Sequence, residues 1–256
     1  MGLGAEYLDR SAAILARIRD TQLGPISLAA DWCAGSILAG RLVHCFGSGH
    51  SRIPVEEIFP RYGSFPGFHP IVELSLTYHN QVVGANGQRQ AMFLERVEGL
   101  AEVILSNFVL DARDTALLFS TSGAGAVVID MALGFRRRGV RTVAVTSLEN
   151  AGAVRSSHSS GRSLHEVCDL VIDTCVPAGD AVIRVPGLET PVSPVSTIAA
   201  CGVANALKAE VARRLTEAGE APVVLTSSYF VGVERARELF EEAYDDYRRR
   251  VGVLYR

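Results

Sequence analysis

Two turns rich in glycine and hydroxyl side chains are the parts of the sequence best suited to hold an anion. GSGHS, residues 47–51, follows the apolar run LVHCF, and STSGAG, residues 120–125, follows TALLF. At the start of a helix the backbone N–H groups lack partners, glycine lets an anion approach them, and serine and threonine hydroxyls add neutral donors. We therefore predict that the two turns form one phosphate cradle.

Known nucleotide signatures do not describe either turn. GSGHSR, residues 47–52, lacks the third glycine of G-x-G-x-x-G, and G-x-x-x-x-G-K-[ST] does not occur in the sequence. A tight strand-to-helix turn with capping serines would explain either turn alone, but two turns in the same context favour an anion site. A small phosphorylated metabolite is therefore favoured over a dinucleotide or a nucleoside triphosphate.

Acid/base chemistry has candidates near the first turn and in two long loops. Glu56 and Glu57 are consecutive, so on a helix they point about 100° apart and at most one of them faces the cradle. A glutamate with a raised pKa suits proton removal, and a histidine suits sugar ring opening. Glu57 is either that base or a solvated surface carboxylate. His158 is the favoured acid/base histidine, and the other histidines considered in the loops 77–90 and 149–166 are His79 and His165.

Composition narrows the class of protein. The chain has 256 residues, 48% of them hydrophobic, and a net charge of −3, which favours neither nucleic acid nor an anionic membrane as a partner. An odd number of cysteines, with no export signal, predicts a reduced cytoplasmic protein. No metal-binding spacing occurs, so we expect neither a metal nor another cofactor. The cysteines are Cys33, Cys45, Cys168, Cys175 and Cys201.

The strands and helices that position these residues are predicted from alternating patterns in the sequence. Runs rich in β-formers predict strands over residues 42–46, 115–119, 141–145 and 169–173. Apolar spacing of the helical kind predicts helices over residues 4–20, 26–39, 88–108, 124–138, 193–217 and 232–250, the fifth with Ser193 as its cap. The alternation predicts an α/β fold: a three-layer α/β/α sandwich around a five-stranded, mainly parallel sheet.

The order and spacing of the turns resemble the SIS (sugar isomerase) domain superfamily over roughly residues 35–215. HSSG, residues 158–161, and SPVST, residues 193–197, make the resemblance strongest to uncharacterised sugar-isomerase-like phosphosugar-binding proteins. Many SIS domains have threonine or serine where this chain has Gly125. The resemblance implies a flavodoxin-like fold and a phosphosugar surrounded by Gly47, Gly49, Ser51, Ser120, Ser122, Gly123 and Ser147. Within the same two turns, Ser48, His50 and Thr121 are also predicted to bind the phosphate.

A second resemblance concerns the candidate base. EIFPRYG, residues 57–63, is similar to the E-C-P-P-T-[FY]-G stretch of N-acetylmuramic acid 6-phosphate etherases, another SIS family. It aligns Glu57 with the glutamate proposed there as acid/base, after a gap of a few residues beyond the first turn. The resemblance also implies a site at a subunit interface, so the assisting histidine could come from another protomer.

The sequence therefore predicts a phosphosugar-binding protein that isomerises a hexose phosphate or an amino-sugar phosphate by removing a proton next to the carbonyl. Two alternatives stay open: an etherase-like lyase, and a non-catalytic sensor that regulates a partner protein. We expect a homodimer or homotetramer built from one SIS domain, residues 1–256. Its expected parts are N-terminal helices over 1–40, a sheet core over 41–218 and a C-terminal helical extension over 219–256.

Overall fold

A five-stranded parallel sheet lies at the centre of the fold in the computed structural model, which describes residues 2–77 and 87–256. The strand order is β2-β1-β3-β4-β5, and every pair of neighbouring strands is parallel. This confirms the predicted α/β/α fold class and its flavodoxin-like strand order. The strands are β1 Val43–Gly47, β2 Phe68–Pro70, β3 Thr115–Phe119, β4 Arg141–Thr146 and β5 Leu170–Asp173.

Helices cover both faces of the sheet. In the described part of the chain they are α1 Leu3–Leu38, α2 Ile53–Ile58, α3 Leu74–Thr77, α4 Gly87–Leu94, α5 Leu100–Leu105, α6 Ala126–Arg137, α7 Leu148–Ala153, α8 Leu164–Val167, α9 Ser196–Glu217, α10 Ser228–Val231 and α11 Val233–Val251. A small antiparallel hairpin, β6 Ala181–Ile183 and β7 Val192–Pro194, precedes α9. None of these helices combines the length and apolarity that crossing a membrane requires.

Alternate residues of each central strand point into two separate cores. Leu117 belongs to the core shared with α1 and α9, whereas its neighbour Leu118 belongs to the core shared with α5 and α6. Both side chains are fully buried. Since side chains alternate between the faces of a strand, a sheet covered on both sides needs the continuous apolar runs that this sequence has.

The N-terminal segment forms one helix, which corrects the prediction of two. We predicted helices over residues 4–20 and 26–39, yet α1 continues through Gly24 and Pro25 between them. Proline removes one backbone hydrogen bond from a helix interior. Ile18 and Ile26 on either side are buried in the core shared with α9, and this packing holds the two halves in line.

Two other helix boundaries also differ from the prediction. The segment predicted as one helix over 88–108 forms α4 and α5, because Gly99 between them has a left-handed φ of 86°. The predicted helix from 193 begins at Ser196, because Ser193 belongs to β7 and has φ 66°. Asp180 supplies the cap in its place. It accepts N–H bonds from Val195 and Ser196 at 3.0 and 2.8 Å.

A buried ionic cluster joins the amino ends of β1 and β3. Asp114 is fully buried, and its two carboxylate oxygens accept hydrogen bonds from the Arg41 guanidinium at 2.9 and 2.8 Å. His44 Nε2 lies 3.3 Å from the same carboxylate, and His44 and His69 approach through their Nδ1 atoms at 3.0 Å. Burial alone would raise the pKa of Asp114, but the adjacent His44 imidazole and the Arg41 guanidinium outweigh it and lower that pKa to about 2.

Replacing Asp114 with alanine should lower the free energy of unfolding by about 3–5 kcal/mol, because Arg41 is left buried without its partner. The folded-state pKa of Asp114, about 2, lies below its unfolded value of about 3.9. Its contribution is therefore present above about pH 4 and lost as the pH falls towards 2. Urea unfolding of both proteins between pH 2 and 7 should show this pH dependence in the wild type and a weaker one in Asp114→Ala.

Asp245→Ala is the matched control for this measurement. Asp245 pairs with Arg248 on exposed α11, where an ion pair contributes at most about 1 kcal/mol. An Asp114→Ala protein as stable as Asp245→Ala would show that the buried cluster contributes no net stability.

Candidate functional site

The two predicted turns line one cleft of about 380 Å³. β1 and β3 are neighbours, with Gly47 paired with Phe119, so their carboxyl ends lie side by side. The turns that follow these strands are therefore brought together at the edge of the sheet where ligands of open α/β folds bind. Seven of the predicted phosphate-binding residues line the cleft: Ser48, Gly49, His50, Ser51, Ser120, Thr121 and Ser122.

The cleft has two further walls that the sequence did not reveal. One is the start of α9 with the hairpin before it, which contributes Asp180, Ser196 and Thr197. The other is Glu95, directly after α4. These residues are distant in sequence from both turns, and Asp180 and Glu95 carry no recognisable motif. SPVST, which contains Ser196 and Thr197, was the one sequence signal that could have pointed to the α9 wall.

The first turn is tightly closed by its own backbone. Ser51 N–H donates to the Ser48 carbonyl at 3.0 Å, and Gly49 has φ 53°, which favours glycine. A Cβ atom on Gly47 would lie 2.2 Å from the Ser51 carbonyl oxygen. The turn therefore requires glycine at position 47 for space and at position 49 for backbone conformation.

The second turn orients its serine hydroxyls through its own amides. Ser120 Oγ accepts the Gly123 N–H at 3.1 Å, and Ser122 Oγ accepts the Ala124 N–H at 3.3 Å. A hydroxyl that accepts in this way still has its own hydrogen to donate. Both serines can therefore donate to an anion in the cleft from fixed positions.

Backbone amides at the start of α6 offer fewer free N–H donors to an anion than the sequence suggests. The Ala126 N–H donates to Ser157 Oγ, and the Val127 N–H donates to the Glu95 carbonyl, both at 3.1 Å. With the Gly123 and Ala124 amides also bonded within the turn, most of the donors expected to face the anion already have partners. The donors that this turn has left for an anion are therefore chiefly hydroxyl groups.

Two predicted phosphate-binding residues do not line the cleft. Gly123 is buried, and a Cβ atom there would lie 3.1 Å from Leu164 Cβ, so glycine allows α8 to approach the turn. Ser147 is fully buried. Its hydroxyl donates to the Val176 carbonyl at 2.6 Å and accepts the Asn150 N–H at 3.0 Å, which caps α7. Gly123 therefore allows α8 to pack against the second turn, and Ser147 caps α7.

Glu57 also lies outside the cleft lining, on the side of α2 that faces α9. Its carboxylate accepts a hydrogen bond from Asn205 Nδ2 at 2.8 Å and pairs with Arg61, while Lys208 Nζ donates to its backbone carbonyl at 3.0 Å. Burial would raise the pKa of Glu57, but hydrogen bonds from Asn205 and Arg61, with the charges of Arg61 and Lys208, lower it overall. This is opposite to the raised pKa expected of the base.

His158, in the loop of residues 149–166, forms hydrogen bonds and does not line the cleft. Its side chain is 8% exposed, with Nε2 3.1 Å from Asp130 Oδ1 and Nδ1 2.7 Å from Ser160 Oγ. The neighbouring Ser157 donates its N–H to the Ala124 carbonyl at 2.9 Å. The loop that contains HSSG thus holds the second turn in place. His79, a further candidate, lies outside the described residues.

Comparison with known proteins identifies the family of this chain. A family model described as "SIS domain" matches residues 6–147, a segment that contains both turns. A UPF0309 protein of Geobacillus kaustophilus is 35% identical over 226 residues, which is 88% of this chain and 86% of that protein. The chain belongs to the SIS domain family.

Further proteins resemble it over most of their length. A UPF0309 protein of Thermoanaerobacter pseudethanolicus is 31% identical over 253 residues, covering 97% of this chain and 99% of that one. The solved phosphoheptose isomerase of Neisseria gonorrhoeae aligns with a TM-score of 0.50 and 12% identity, covering 81% of this chain and 95% of that one. At this identity the structural match shows the shared fold.

Gly47→Ala should open the first turn, because the added Cβ would overlap the Ser51 carbonyl. We expect a loss of about 1–3 kcal/mol in the free energy of unfolding, the usual cost of overpacking. Gly35→Ala is the matched control, since nothing lies within 4 Å of a Cβ there and alanine favours the interior of α1. Urea unfolding of both variants measures the difference, and equal stabilities would contradict the described turn.

Proposed function

We propose that this SIS protein binds a phosphorylated sugar in the cleft and isomerises it by moving a proton between adjacent carbons. The observation that supports this most is the pair of hydroxyl-rich turns facing one another across the cleft. Its volume of about 380 Å³ falls in the range of small-molecule sites, roughly 300–1,000 Å³. A hexose phosphate is a ligand of suitable size and chemistry.

Recognition of the phosphate by neutral donors follows from the lining. Within the described residues the lining contains no lysine and no arginine, whereas it contains seven serine and threonine residues: Ser48, Ser51, Ser120, Thr121, Ser122, Ser196 and Thr197. The Ser196 hydroxyl donates to Asp180. A hydroxyl group can donate to a phosphate while it accepts a hydrogen bond from the backbone. Ser120 and Ser122 already accept such backbone bonds. The remaining polar positions suit sugar hydroxyls.

Isomerisation of an aldose to a ketose needs a general base beside the bound sugar, and the cleft lining offers two carboxylates, Glu95 and Asp180. An etherase-like elimination would begin with the same proton removal, so the first chemical step is shared by both reactions. The product distinguishes them, because elimination releases a substituent and isomerisation releases nothing.

A phosphosugar sensor is the second candidate function. It is favoured by the positions of Glu57 and His158, the two side chains predicted for catalysis, because both are hydrogen-bonded away from the cleft lining. A cleft that binds without turnover would need only the two turns. In that case the protein would act on a partner through its ligand-bound state.

Binding is tested by calorimetric titration with hexose 6-phosphates, 2-amino-hexose 6-phosphates and the corresponding unphosphorylated sugars. We expect measurable binding only with the phosphorylated compounds. Ser122→Ala should weaken binding by about 10- to 100-fold, because a hydrogen bond to a charged group contributes about 1.5–3 kcal/mol. Ser106→Ala, on the exposed end of α5, is the matched control and should bind as the wild type does. Equal affinity for sugars with and without phosphate would contradict the proposal.

Turnover is tested by incubating the wild-type protein with each bound sugar phosphate in D₂O and following the proton NMR signal of the carbon next to the carbonyl. Loss of that signal with formation of the isomeric sugar phosphate is the expected result. Binding with no loss of signal for any of the sugars would contradict the isomerase and favour the sensor.

A further inference from the structure

Glu95 connects the two turns of the cleft. Its backbone carbonyl accepts the Val127 N–H at 3.1 Å, which ties its main chain to the first turn of α6. Its side chain lies against the other turn, since a Cβ atom on Gly49 would be 3.4 Å from Glu95 Oε1. One residue is thus anchored at the second turn and directs its carboxylate towards the first.

The Glu95 carboxylate differs from those of Asp180 and Glu57 in its hydrogen bonding. Among residues 2–77 and 87–256 it has no hydrogen-bond or ion-pair partner, and the residue is half-buried. Asp180 uses both carboxylate oxygens to cap α9, accepting from the Val195 and Ser196 amides and from the Ser196 hydroxyl. Both Glu57 oxygens likewise have donors, Asn205 and Arg61.

We infer that Glu95 is the catalytic base of the proposed isomerase, an inference that rests on the proposed function. A general base needs a free lone pair in the space that the substrate occupies, held in a fixed position. Of these three carboxylates, only that of Glu95 combines a place in the cleft lining with an unoccupied pair of oxygens. Its main-chain bond to α6 limits how far that carboxylate can move.

The proton transfer requires no other reactant. The Glu95 carboxylate takes the proton from the carbon next to the carbonyl, the C–H electron pair becomes the C=C bond of an enediolate, and the carbonyl π pair moves onto oxygen. A proton shift between the two oxygens follows. Glu95 then returns its proton to the former carbonyl carbon. The aldehyde carbon is reduced and its neighbour is oxidised, so the overall oxidation state is unchanged.

The test compares Glu95→Gln with the wild type in two assays, calorimetric binding of the sugar phosphate and deuterium exchange at the carbon next to the carbonyl. Glutamine keeps the size of the side chain and replaces the basic carboxylate with a neutral amide. We expect binding within about 3-fold of the wild type and exchange reduced by at least about 100-fold, the usual contribution of a general base. Glu95→Asp should keep part of the exchange, because it restores a carboxylate. Glu217→Gln, at the exposed end of α9, is the matched control.

The Glu57→Gln variant distinguishes Glu95 as the base from Glu57, the base predicted from the sequence. Full exchange in Glu95→Gln together with lost exchange in Glu57→Gln would overturn the inference while leaving the isomerase intact. Binding by the wild type without exchange would overturn both the isomerase and the role of Glu95, with phosphosugar binding retained. Loss of exchange in Glu95→Gln but not in Glu57→Gln or Glu217→Gln is the result that the geometry predicts.

Discussion

The parallel pairing of β1 with β3 is the constraint on which the site depends. Because the two strands run in the same direction with Gly47 opposite Phe119, both end at the same edge of the sheet. The chain must leave each strand by a sharp turn into a helix, and the two turns face one cleft. An antiparallel pairing of the same strands would place GSGHS and STSGAG at opposite ends of the sheet, and neither turn alone would enclose a phosphosugar.

The second turn presents fixed hydroxyl donors in a cleft whose described lining has no lysine or arginine. Its amides are bonded to its own serines, to Ser157 and to the Glu95 carbonyl, so its conformation is set before any ligand arrives. The serine hydroxyls keep their hydrogens for the ligand. Lys208, the sole lysine of the sequence, lies elsewhere, against the Glu57 carbonyl. In the proposed function, fixed neutral donors take the place of a mobile cation.

Three carboxylates of the same chemical type have different surroundings in this structure. Glu57 is held by Asn205 and Arg61, and Asp180 caps α9. Glu95 alone among them faces the cleft without a partner in the described residues. Whether a carboxylate is free to act as a base thus depends on its hydrogen-bond donors. The packing of α2, α9 and the hairpin determines which donors reach each side chain.

Much of the fold and half of the site follow from local sequence. Strands β3 and β4 lie where their β-forming residues predict them, and the two turns are visible because glycine and serine act through nearby backbone groups. By contrast, the continuation of α1 through Pro25 depends on packing against α9, which no local pattern encodes.

What the sequence by itself determined is the α/β class, the family resemblance and seven of the cleft-lining residues, since these depend on periodicity and on interactions between residues close in the chain. Only the tertiary structure decided that Ser147 is a buried cap, that Glu57 and His158 are bonded outside the cleft lining, and that Glu95 and Asp180 line the cleft. The physical reason is that a side chain's partners come from segments far apart in sequence, and hydrogen bonding and burial depend on those partners.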